Sequence, residues 1–355
     1  MRDGDWVRAI WDGEGIAARV ARGALVPAEL VFGAASALWS SLYSAGVFSS
    51  APTALPALSI GNLTVGGTGK TPLAAYVATR MRADGARPAI VLRGYGDDEP
   101  IVHRTLNPDV PVVVSPDRVA GSEQAARVGC DVVVFDDAFQ HRRAQRVADV
   151  VVISADAWTD APRHLLPAGP WRERLSAVRR ASLVAITRKA ASQTRADVIA
   201  ESVAREAQVP TSIVRLDVGE LRDLATNATA PIDALAGESV LAITGIGNPG
   251  AFHAQLAAHG ASVQPVAFRD HHRFTTGDAH TLAAKAARYD RAVCTLKDLV
   301  KLGPLWPGPS PLWYVSQRVD VETGADALDA VLKITLDARF ASTQRGRPGL
   351  PGPPN

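Results

Sequence analysis

The hydrophobic positions of this chain follow two alternating patterns from residue 57 onwards. Short runs rich in Val and Ile are separated by longer segments in which apolar residues recur at helical spacing, as in "TPLAAYVATRMRADG" and "RADVIAESVAREAQ". Continuous apolar runs between helices are typical of parallel strands that are covered on both faces. The pattern therefore predicts an α/β fold whose strands are "ALSIGN", "AIVLRG", "VPVVVS", "DVVVFDD", "DVVVIS", "LVAIT", "SIVRLDV", "VLAITGI", "VQPVAF" and "RAVCTL".

Ahead of the first predicted strand, the chain has no charged residue between Glu29 and Lys70. On a helical wheel, residues 30–48 have one small, weakly polar side and one apolar side. This pattern is typical of a helix that lies in a membrane interface, and equally of an amphipathic helix in a soluble core. A spanning helix is the minority interpretation, because serines dilute a segment that would need ~20 strongly apolar residues. The small side comprises Gly33, Ser36, Ala37, Ser40 and Ser44, and the apolar side comprises Val31, Phe32, Leu38, Trp39, Leu42 and Tyr43.

Composition narrows the possible classes of function. Of the 355 residues, 47% are hydrophobic and 21% are charged, and the net charge is +2. These values are ordinary for a globular protein, and so small a net charge predicts no nucleic-acid partner. Cys130 and Cys294 lie in apolar runs, so we expect reduced core residues rather than a disulfide or a metal set.

The segment "SIGNLTVGGTGKTPLAAYVA", residues 59–78, predicts a strand, a glycine-rich turn and the start of a helix. It departs from the P-loop pattern G-x-x-x-x-G-K-[ST] at one residue, because Thr64 occupies the first glycine position. In such a loop, backbone N–H groups turn towards phosphate oxygens, Lys70 reaches the β- and γ-phosphates, and the Thr71 hydroxyl ligates Mg²⁺. The predicted nucleotide-binding residues are Thr64, Val65, Gly66, Gly67, Thr68, Gly69, Lys70 and Thr71.

Acidic residues at two strand ends are candidates for metal binding and proton transfer. In "CDVVVFDDAFQH", Asp136 and Asp137 end an apolar strand, as the Mg²⁺-binding acids of P-loop proteins do. In "LRGYGDDEP", Asp97, Asp98 and Glu99 form a carboxylate cluster that would suit a general base beside a bound Mg–nucleotide. A solvated acidic turn is the alternative for this second cluster, and this segment alone favours it.

Histidines and arginines supply further candidates. In "FRDHHRFT", Asp270 could orient His271 or His272 to assist a base, although neighbouring histidines also occur in surface loops. Arg118 and Arg172 could meet an anionic substrate, although each taken singly is also what a solvated surface charge looks like.

The segment "GIGNPG" competes with the P-loop for a nucleotide. Gly245, Gly247 and Gly250 match the dinucleotide fingerprint G-x-G-x-x-G, and Asp270 lies ~20 residues further on, where a ribose-binding acid is expected. Pro249 occupies a position that a pyrophosphate-facing turn normally leaves free, so the P-loop is the favoured site.

Taken in order, these segments resemble one family, the tetraacyldisaccharide 4'-kinases of lipid A biosynthesis. The matching pieces extend from residue 61 to about residue 302, and they are "GNLTVGGTGKTP", "RGYG", "DEP", "DRVA", "DDAFQH", "LLPAGPWRE", "ITGIGNP", "FRDHHRFT" and "LKDLVKL". The resemblance implies an ATP- and Mg²⁺-dependent kinase that phosphorylates the 4'-hydroxyl of an acylated glucosamine disaccharide 1-phosphate. It also implies a peripheral position at the cytoplasmic face of the inner membrane. That position favours the interfacial interpretation of residues 30–48, and the family pattern makes "GIGNPG" an interdomain turn.

The resemblance also implies roles for individual residues. Asp98 matches the family's proposed base, which works with the histidine matched by His271. The family has a longer insert before "DEP", so Asp97 and Asp98 compete for the role of base, and we choose Asp98 because Pro100 fixes the register. The implied metal ligands are Thr71, Glu99, Asp136 and Asp137, and the implied substrate-binding residues are Arg118, His141 and Arg172.

The predicted organisation has four parts, with the polar segment "GELRDLATNATAPIDALAGE" as the best candidate for a boundary between two α/β units. We predict a P-loop NTPase-like parallel-sheet domain that binds ATP over residues 51–220. A second, smaller α/β domain over residues 221–325 is predicted to close the active-site cleft. Residues 1–50 are predicted to be a membrane-associated helical segment, and residues 326–355 a C-terminal helix and disordered tail.

The alternative function is that of a nucleotide-driven switch or partition-type P-loop ATPase. The deviant subgroup of those proteins needs a second lysine early in the P-loop, where this chain has Thr64 and Val65. A non-catalytic nucleotide-binding scaffold at the membrane is a third class. The sequence predicts no particular oligomeric state.

Overall fold

The computed structural model describes residues 5–94, 98–270, 272–307 and 311–345. Its strands are β1 (Ala57–Asn62), β2 (Pro88–Leu92), β3 (Val112–Val114), β4 (Val132–Asp136), β5 (Ala148–Ser154), β6 (Leu183–Arg188), β7 (Thr211–Asp223), β8 (Thr229–Ala230), β9 (Ser239–Thr244), β10 (Ser262–Ala267), β11 (Arg291–Thr295) and β12 (Leu312–Thr323). Its α-helices are α1 (Asp5–Asp12), α2 (Ile16–Ser44), α3 (Lys70–Ala83), α4 (Asp98–Leu106), α5 (Arg118–Arg127), α6 (Gln193–Ala207), α7 (Pro249–Ala258), α8 (Thr276–Ala286), α9 (Leu296–Leu302) and α10 (Ala325–Arg345). Short 3₁₀ helices occupy Leu175–Arg180, Ile232–Leu235 and Gly303–Leu305.

The strands of the described residues form one 12-stranded sheet in the order β10-β9-β11-β12-β7-β6-β5-β1-β4-β2-β3, and β8 pairs with β7. Strand β1 pairs in parallel with both β4 and β5, so Ile60 lies beside Asp136 on one side and Val150 on the other. Parallel pairing brings the carboxyl ends of these strands to one edge of the sheet, where ligands of such folds bind. The predicted α/β fold is confirmed.

Helices cover both faces of the sheet. On one face, α3 and α10 pack over a buried cluster that includes Leu58 and Leu332. On the other face, α6 packs over a cluster that includes Val151 and Ile199. Full burial of a Leu or Ile side chain stabilises a fold by about 1.5–3 kcal/mol relative to leaving it exposed. Strand β1, which leads into the P-loop, is buried along its whole length, so the loop starts from a fixed point.

Strand β7 passes through the predicted domain boundary between residues 220 and 221. It pairs in parallel with β6 and antiparallel with β12, so the sheet continues without interruption from the first predicted domain into the second. Helix α10, which follows both predicted domains in the chain, contacts α3 and β1 in the first. The division into two domains stays a prediction, and it divides one continuous sheet.

Helix α2 lies along the surface with its small side towards the body of the protein. Arg142 donates to the backbone oxygen of Ser40 at 2.6 Å, and Glu29 accepts from the Leu165 amide at 2.8 Å. The helix is long and apolar enough to cross a membrane, judged by length and composition. Large apolar side chains on its outer side are exposed, and they include Leu30, Val31, Leu38 and Trp39.

The structure excludes one of the interpretations left open for α2 and changes the position of one residue. No residue of the helix is buried, so it is not a core helix. Phe32, which the helical wheel assigns to the apolar side, packs against the cluster that contains Phe139 and does not face outwards with Val31. Phe32 adjoins Gly33, which approaches the body so closely that a Cβ there would lie 2.9 Å from the Leu165 side chain. The Phe32 side chain thus lies on the side of α2 that packs against the body of the protein.

Candidate active site

The P-loop connects β1 to α3, and its glycines adopt backbone conformations that other residues disfavour. Gly66 has a φ of +123° and Gly69 a φ of +91°, in the region that favours glycine. A Cβ at Gly69 would also collide with the Leu216 side chain. Helix α3 begins at Lys70, directly after Gly69. Its free N–H groups and its dipole therefore point at the loop, as in other phosphate-binding sites.

The position of Thr64 explains why this loop does not need the first glycine of the pattern. Thr64 forms an antiparallel bridge with Trp171, and the amide of Val65 donates to the Pro170 oxygen at 2.8 Å. The backbone is extended at this point, and any residue adopts that conformation. The segment "GPWR" thus pairs with the first half of the loop, as a short strand would.

Asp137 faces the cations of the loop. It has a φ of +55°, accepts two hydrogen bonds from Arg172 at 3.0 and 3.1 Å, and lies 3.6 Å from Lys70 Nζ. Burial lowers the pKa of the Lys70 ammonium below its ordinary value, and the charges of Asp137 and Asp136 oppose that shift. The two cations expected to meet phosphate therefore meet Asp137 in this structure.

Asp136 is buried and has a different set of partners. Its Oδ2 accepts from the Thr71 hydroxyl at 3.3 Å and lies 2.8 Å from His103 Nε2. Burial by itself would raise the pKa of Asp136, but the hydrogen bond and charge of His103, with Lys70 and Lys297, outweigh it and lower the pKa. The ionised carboxylate is thereby favoured.

A divalent cation fits beside Asp136. The Oδ1 of Asp136 is buried and has no hydrogen-bond partner among the described residues. Mg²⁺ prefers such carboxylate oxygens together with hydroxyl oxygens like that of Thr71. Within the same part of the chain, no group of three or more His, Cys, Asp or Glu side chains is arranged to hold a metal. The remaining ligands would therefore be nucleotide phosphates and water, as is usual for Mg²⁺.

Arg118 and His141, both predicted to bind substrate, line the same cleft. Arg118 is buried and donates to the backbone oxygens of Ser115 at 2.7 Å and Asp136 at 3.1 Å, so it fixes the end of β4. Burial lowers the pKa of His141 and so favours its neutral imidazole. Its Nε2 has no hydrogen-bond partner among the residues that are described. Their roles in substrate binding stay predictions.

The far side of the cleft is closed where α4 meets α9. Asp98 Oδ2 lies 3.9 Å from Lys301 Nζ, and Glu99 Oε1 lies 4.0 Å from Lys297 Nζ. Lys301 also lies 3.7 Å from the fully buried Asp298. The first glycine of "GIGNPG" donates its amide proton to Asp298 Oδ1 at 2.9 Å. The turn that competes for a nucleotide in the sequence is thus tied to α9.

These elements enclose a cleft of about 890 Å³, which is large enough for a nucleotide. The P-loop from Val65 to Thr71 lines one side, and Lys297 lines the other. The structure thus brings the predicted nucleotide, metal and substrate residues to one place. His271 and the rival base Asp97 lie outside the described residues, so their predicted roles are not addressed by the geometry.

Three residues near the cleft are not evident from the sequence pattern. His103 follows Glu99 by four residues on α4, and Lys301 follows Lys297 by four residues on α9. This spacing puts each pair on one helix face, and it is the signal that could have identified them. Lys189 lines the cleft after β6, where burial lowers its pKa, and no local pattern distinguishes it.

Comparison with known proteins gives matches along most of the chain. The family model described as "LpxK: Tetraacyldisaccharide-1-P 4'-kinase" matches residues 21–103 and 96–336. A tetraacyldisaccharide 4'-kinase of Anaeromyxobacter dehalogenans (strain 2CP-C) is 37% identical, over 92% of this chain and 94% of the relative. That of Azoarcus sp. (strain BH72) is 34% identical, over 91% and 92% of the two chains. The crystal structure of the "apo" form of LpxK from Aquifex aeolicus in complex with ATP has a TM-score of 0.69 and 26% identity, and the match covers 89% of this chain and 99% of that one.

Proposed function

The chain belongs to the tetraacyldisaccharide-1-P 4'-kinase family, and from that premise we propose that it transfers the γ-phosphoryl group of ATP to the 4'-hydroxyl of a tetraacyldisaccharide 1-phosphate in lipid A biosynthesis. The observation that carries the proposal is the cleft, where a phosphate-binding loop and an acid pair face Glu99 and Lys297. Phosphoryl transfer needs little covalent chemistry from a protein and depends on positioning and charge neutralisation. Residues 51–220 supply the P-loop and α4, and residues 221–325 supply α9.

ATP binds with its phosphates in the P-loop. The amides of residues 66–69 and the start of α3 face the phosphate oxygens, and Lys70 neutralises charge on the β- and γ-phosphates. Lys70 and Arg172, which contact Asp137 in this structure, exchange that carboxylate for phosphate oxygens when the nucleotide binds. The charged side chains of Lys70 and Arg172 therefore already lie at the loop before ATP binds.

Asp136 and Thr71 would hold the Mg²⁺ that accompanies ATP, and Asp137 and Glu99, which the resemblance implies as further ligands, line the same cleft. The support for this assignment is the buried Oδ1 of Asp136, which has no hydrogen-bond partner among the described residues, and the nearby Thr71 hydroxyl. When bound, such a cation neutralises the negative charge that the phosphates carry into the transition state.

Asp98 accepts the proton of the acceptor hydroxyl, with His271 as its partner. Proton removal by a positioned carboxylate is typically worth about 100- to 10,000-fold in rate. Asp98 is buried at the start of α4, and its Oδ2 lies 3.9 Å from Lys301 Nζ, so a positive charge lies close to the proposed base. Arg118, His141 and Arg172 bind the sugar and phosphate groups of the substrates.

The acceptor is a lipid, so the enzyme works at a membrane surface. The outer side of α2 provides the contact, and the rings of Trp39, Tyr43 and Phe48 pack together at its end with centroids 5.2–5.5 Å apart. Aromatic rings of this kind favour the headgroup region. The helix lies in the interface on the cytoplasmic face of the inner membrane, and the protein is peripheral.

A flotation assay with anionic vesicles tests this placement. Deletion of residues 1–50 should release the protein from the vesicles, and Leu38→Asp, which changes only an exposed position, should weaken binding without unfolding the chain. Leu328→Asp would be a poor control, because that residue is buried, whereas Lys333→Asp on the exposed side of α10 is a suitable one. Full flotation of the truncated protein would place the membrane contact elsewhere.

The function itself is tested by incubating the protein with γ-labelled ATP and a membrane lipid extract. We expect label in the lipid fraction, increased by added tetraacyldisaccharide 1-phosphate and absent with Lys70→Ala. Release of labelled phosphate at the same rate with and without lipid would contradict the proposal and support the switch-type ATPase.

A further inference from the structure

His103 is fully buried beneath the acid pair. It lies on α4, and its Nε2 is 2.8 Å from Asp136 Oδ2. The proposed phosphoryl transfer uses no group of this histidine, and its side chain is closed off from solvent. Its contact with a candidate metal ligand therefore needs its own explanation.

The chemistry of the contact fixes its direction. An ionised carboxylate can only accept hydrogen bonds. Nε2 of His103 therefore carries a proton and donates a hydrogen bond to Asp136 Oδ2. The Thr71 hydroxyl donates to the same oxygen at 3.3 Å. Both donors therefore use Oδ2, and Oδ1 is left without a hydrogen-bond partner among the described residues.

The neighbouring acid shows the contrast. Asp137 is held by Lys70 and Arg172, which line the cleft and would be drawn to a bound phosphate. His103 is enclosed and cannot be drawn away in this manner. The carboxylate of Asp136 is thus held by a donor for which the nucleotide does not compete.

We propose that His103 is a positioning residue for the metal site, which holds Asp136 through Oδ2 so that Oδ1 is presented to the divalent cation bound with ATP. The inference rests on the proposed function, because it requires a nucleotide-bound cation at Asp136. Hydrogen bonds to the outer oxygen of a ligating group commonly contribute 10- to 100-fold to metal affinity. A purely structural histidine would contribute to stability and leave metal affinity unchanged.

The test measures binding of Mn²⁺ by electron paramagnetic resonance in the presence of a non-hydrolysable ATP analogue, without any acceptor. His103→Leu removes the donor, and His103→Gln keeps an N–H near the position of Nε2. Val110→Ala, a truncation of a buried residue close after α4, is the control for lost stability alone. Affinity for the analogue without metal and thermal unfolding are recorded for every variant.

We expect His103→Leu to bind Mn²⁺ about 10- to 100-fold more weakly, with His103→Gln within about threefold of wild type and Val110→Ala unchanged. Wild-type Mn²⁺ affinity in folded His103→Leu would overturn the proposal, and so would an equal loss in Val110→Ala. Should His103→Leu fail to fold, His103→Gln decides alone, and a tenfold loss in a folded His103→Gln protein would overturn it.

Transfer of label to lipid, measured separately, distinguishes the two levels of inference. Phosphorylation of lipid with metal affinity independent of His103 would leave the kinase assignment standing and remove this proposal. Metal affinity that depends on His103, without any lipid phosphorylation, would support the role of His103 and contradict the kinase assignment.

Discussion

The P-loop side and the α4–α9 side of the cleft are built by different kinds of interaction. The P-loop side takes its shape from backbone: a strand buried throughout, glycines with positive φ, and amide hydrogen bonds to the segment "GPWR". The α4–α9 side is held by side-chain ion pairs of 3.9–4.0 Å between residues far apart in sequence. Ion pairs of this length change with small shifts of either helix, whereas backbone hydrogen bonds hold the chain itself in place. We therefore expect ATP binding to depend on the rigid P-loop side of the cleft, and catalysis to depend on the α4–α9 side, whose geometry can adjust.

The largest expected effect breaks the P-loop side. Lys70→Ala should lower kcat/KM by about 1000-fold, because a cation that stabilises transferred negative charge is lost. Steady-state kinetics and thermal unfolding should be compared with Lys333→Ala, which removes an exposed lysine of α10. Wild-type turnover in a folded Lys70→Ala protein would refute the assignment of the loop.

The next effect concerns the base on the other side. Asp98→Asn should lower kcat by about 100-fold or more while ATP affinity stays near wild type, because proton removal matters in the transition state. Combining it with His271→Ala should cost less than the product of the single losses if the two act as a unit. Asp97→Asn is the matched comparison. Near-normal kcat in Asp98→Asn with collapse in Asp97→Asn would show that the register of this motif is wrong.

A smaller effect sharpens the comparison at α9. Lys301→Met removes the charge near Asp98 and should lower kcat about tenfold, which corresponds to about 1.4 kcal/mol. Lys301→Arg should retain most activity, because the positive charge is kept. ATP affinity should not change in either variant, since Lys301 does not line the nucleotide cleft. Equal kcat in all three proteins would mean that this ion pair does not serve catalysis.

The smallest expected effect concerns the stability of the fold, and it involves the capping box at the start of α8. Hydrogen bonds from the backbone and side chain of Thr275 lower the pKa of Asp278. A carboxyl with a lowered folded pKa stabilises the fold above its unfolded pKa of about 3.9, and this stability is lost as the pH falls through the folded value. Asp278→Ala should therefore reduce the free energy of unfolding by about 1 kcal/mol at neutral pH.

Urea unfolding of wild type and Asp278→Ala at neutral and acidic pH checks this expectation. The difference between the two proteins should shrink in acid, where the wild-type carboxyl also becomes neutral. A difference that is the same at both pH values would show that the carboxylate charge is not what stabilises the cap.

The two sides also differ in how far the sequence predicts them. The P-loop follows from consecutive residues, because strand, glycines, lysine and helix start are local features. The contacts of Asp98 with Lys301 and of His103 with Asp136 join separate elements, and only the sheet order brings those together. Sequence spacing could identify the helix faces of these residues but not which faces meet.

The sequence pattern does not predict strand β12, for a related reason. It is antiparallel to β7 and only partly buried, so it lacks the continuous apolar run by which the parallel strands were predicted. For α2, the helical wheel separated a small side from an apolar side but left open which faces the protein. Arg142 and Arg180 decide this, because both donate to the hydroxyl of Ser40.

Helix α10 covers the face of the sheet that carries the ATP-binding half. Its Leu328, Leu332 and Leu336 are buried in the same cluster as Leu58 and Leu73, yet they are synthesised after every strand of the sheet. During translation, the P-loop half therefore keeps an uncovered apolar face until α10 has left the ribosome and docked. Such a face attracts chaperones and other nascent chains.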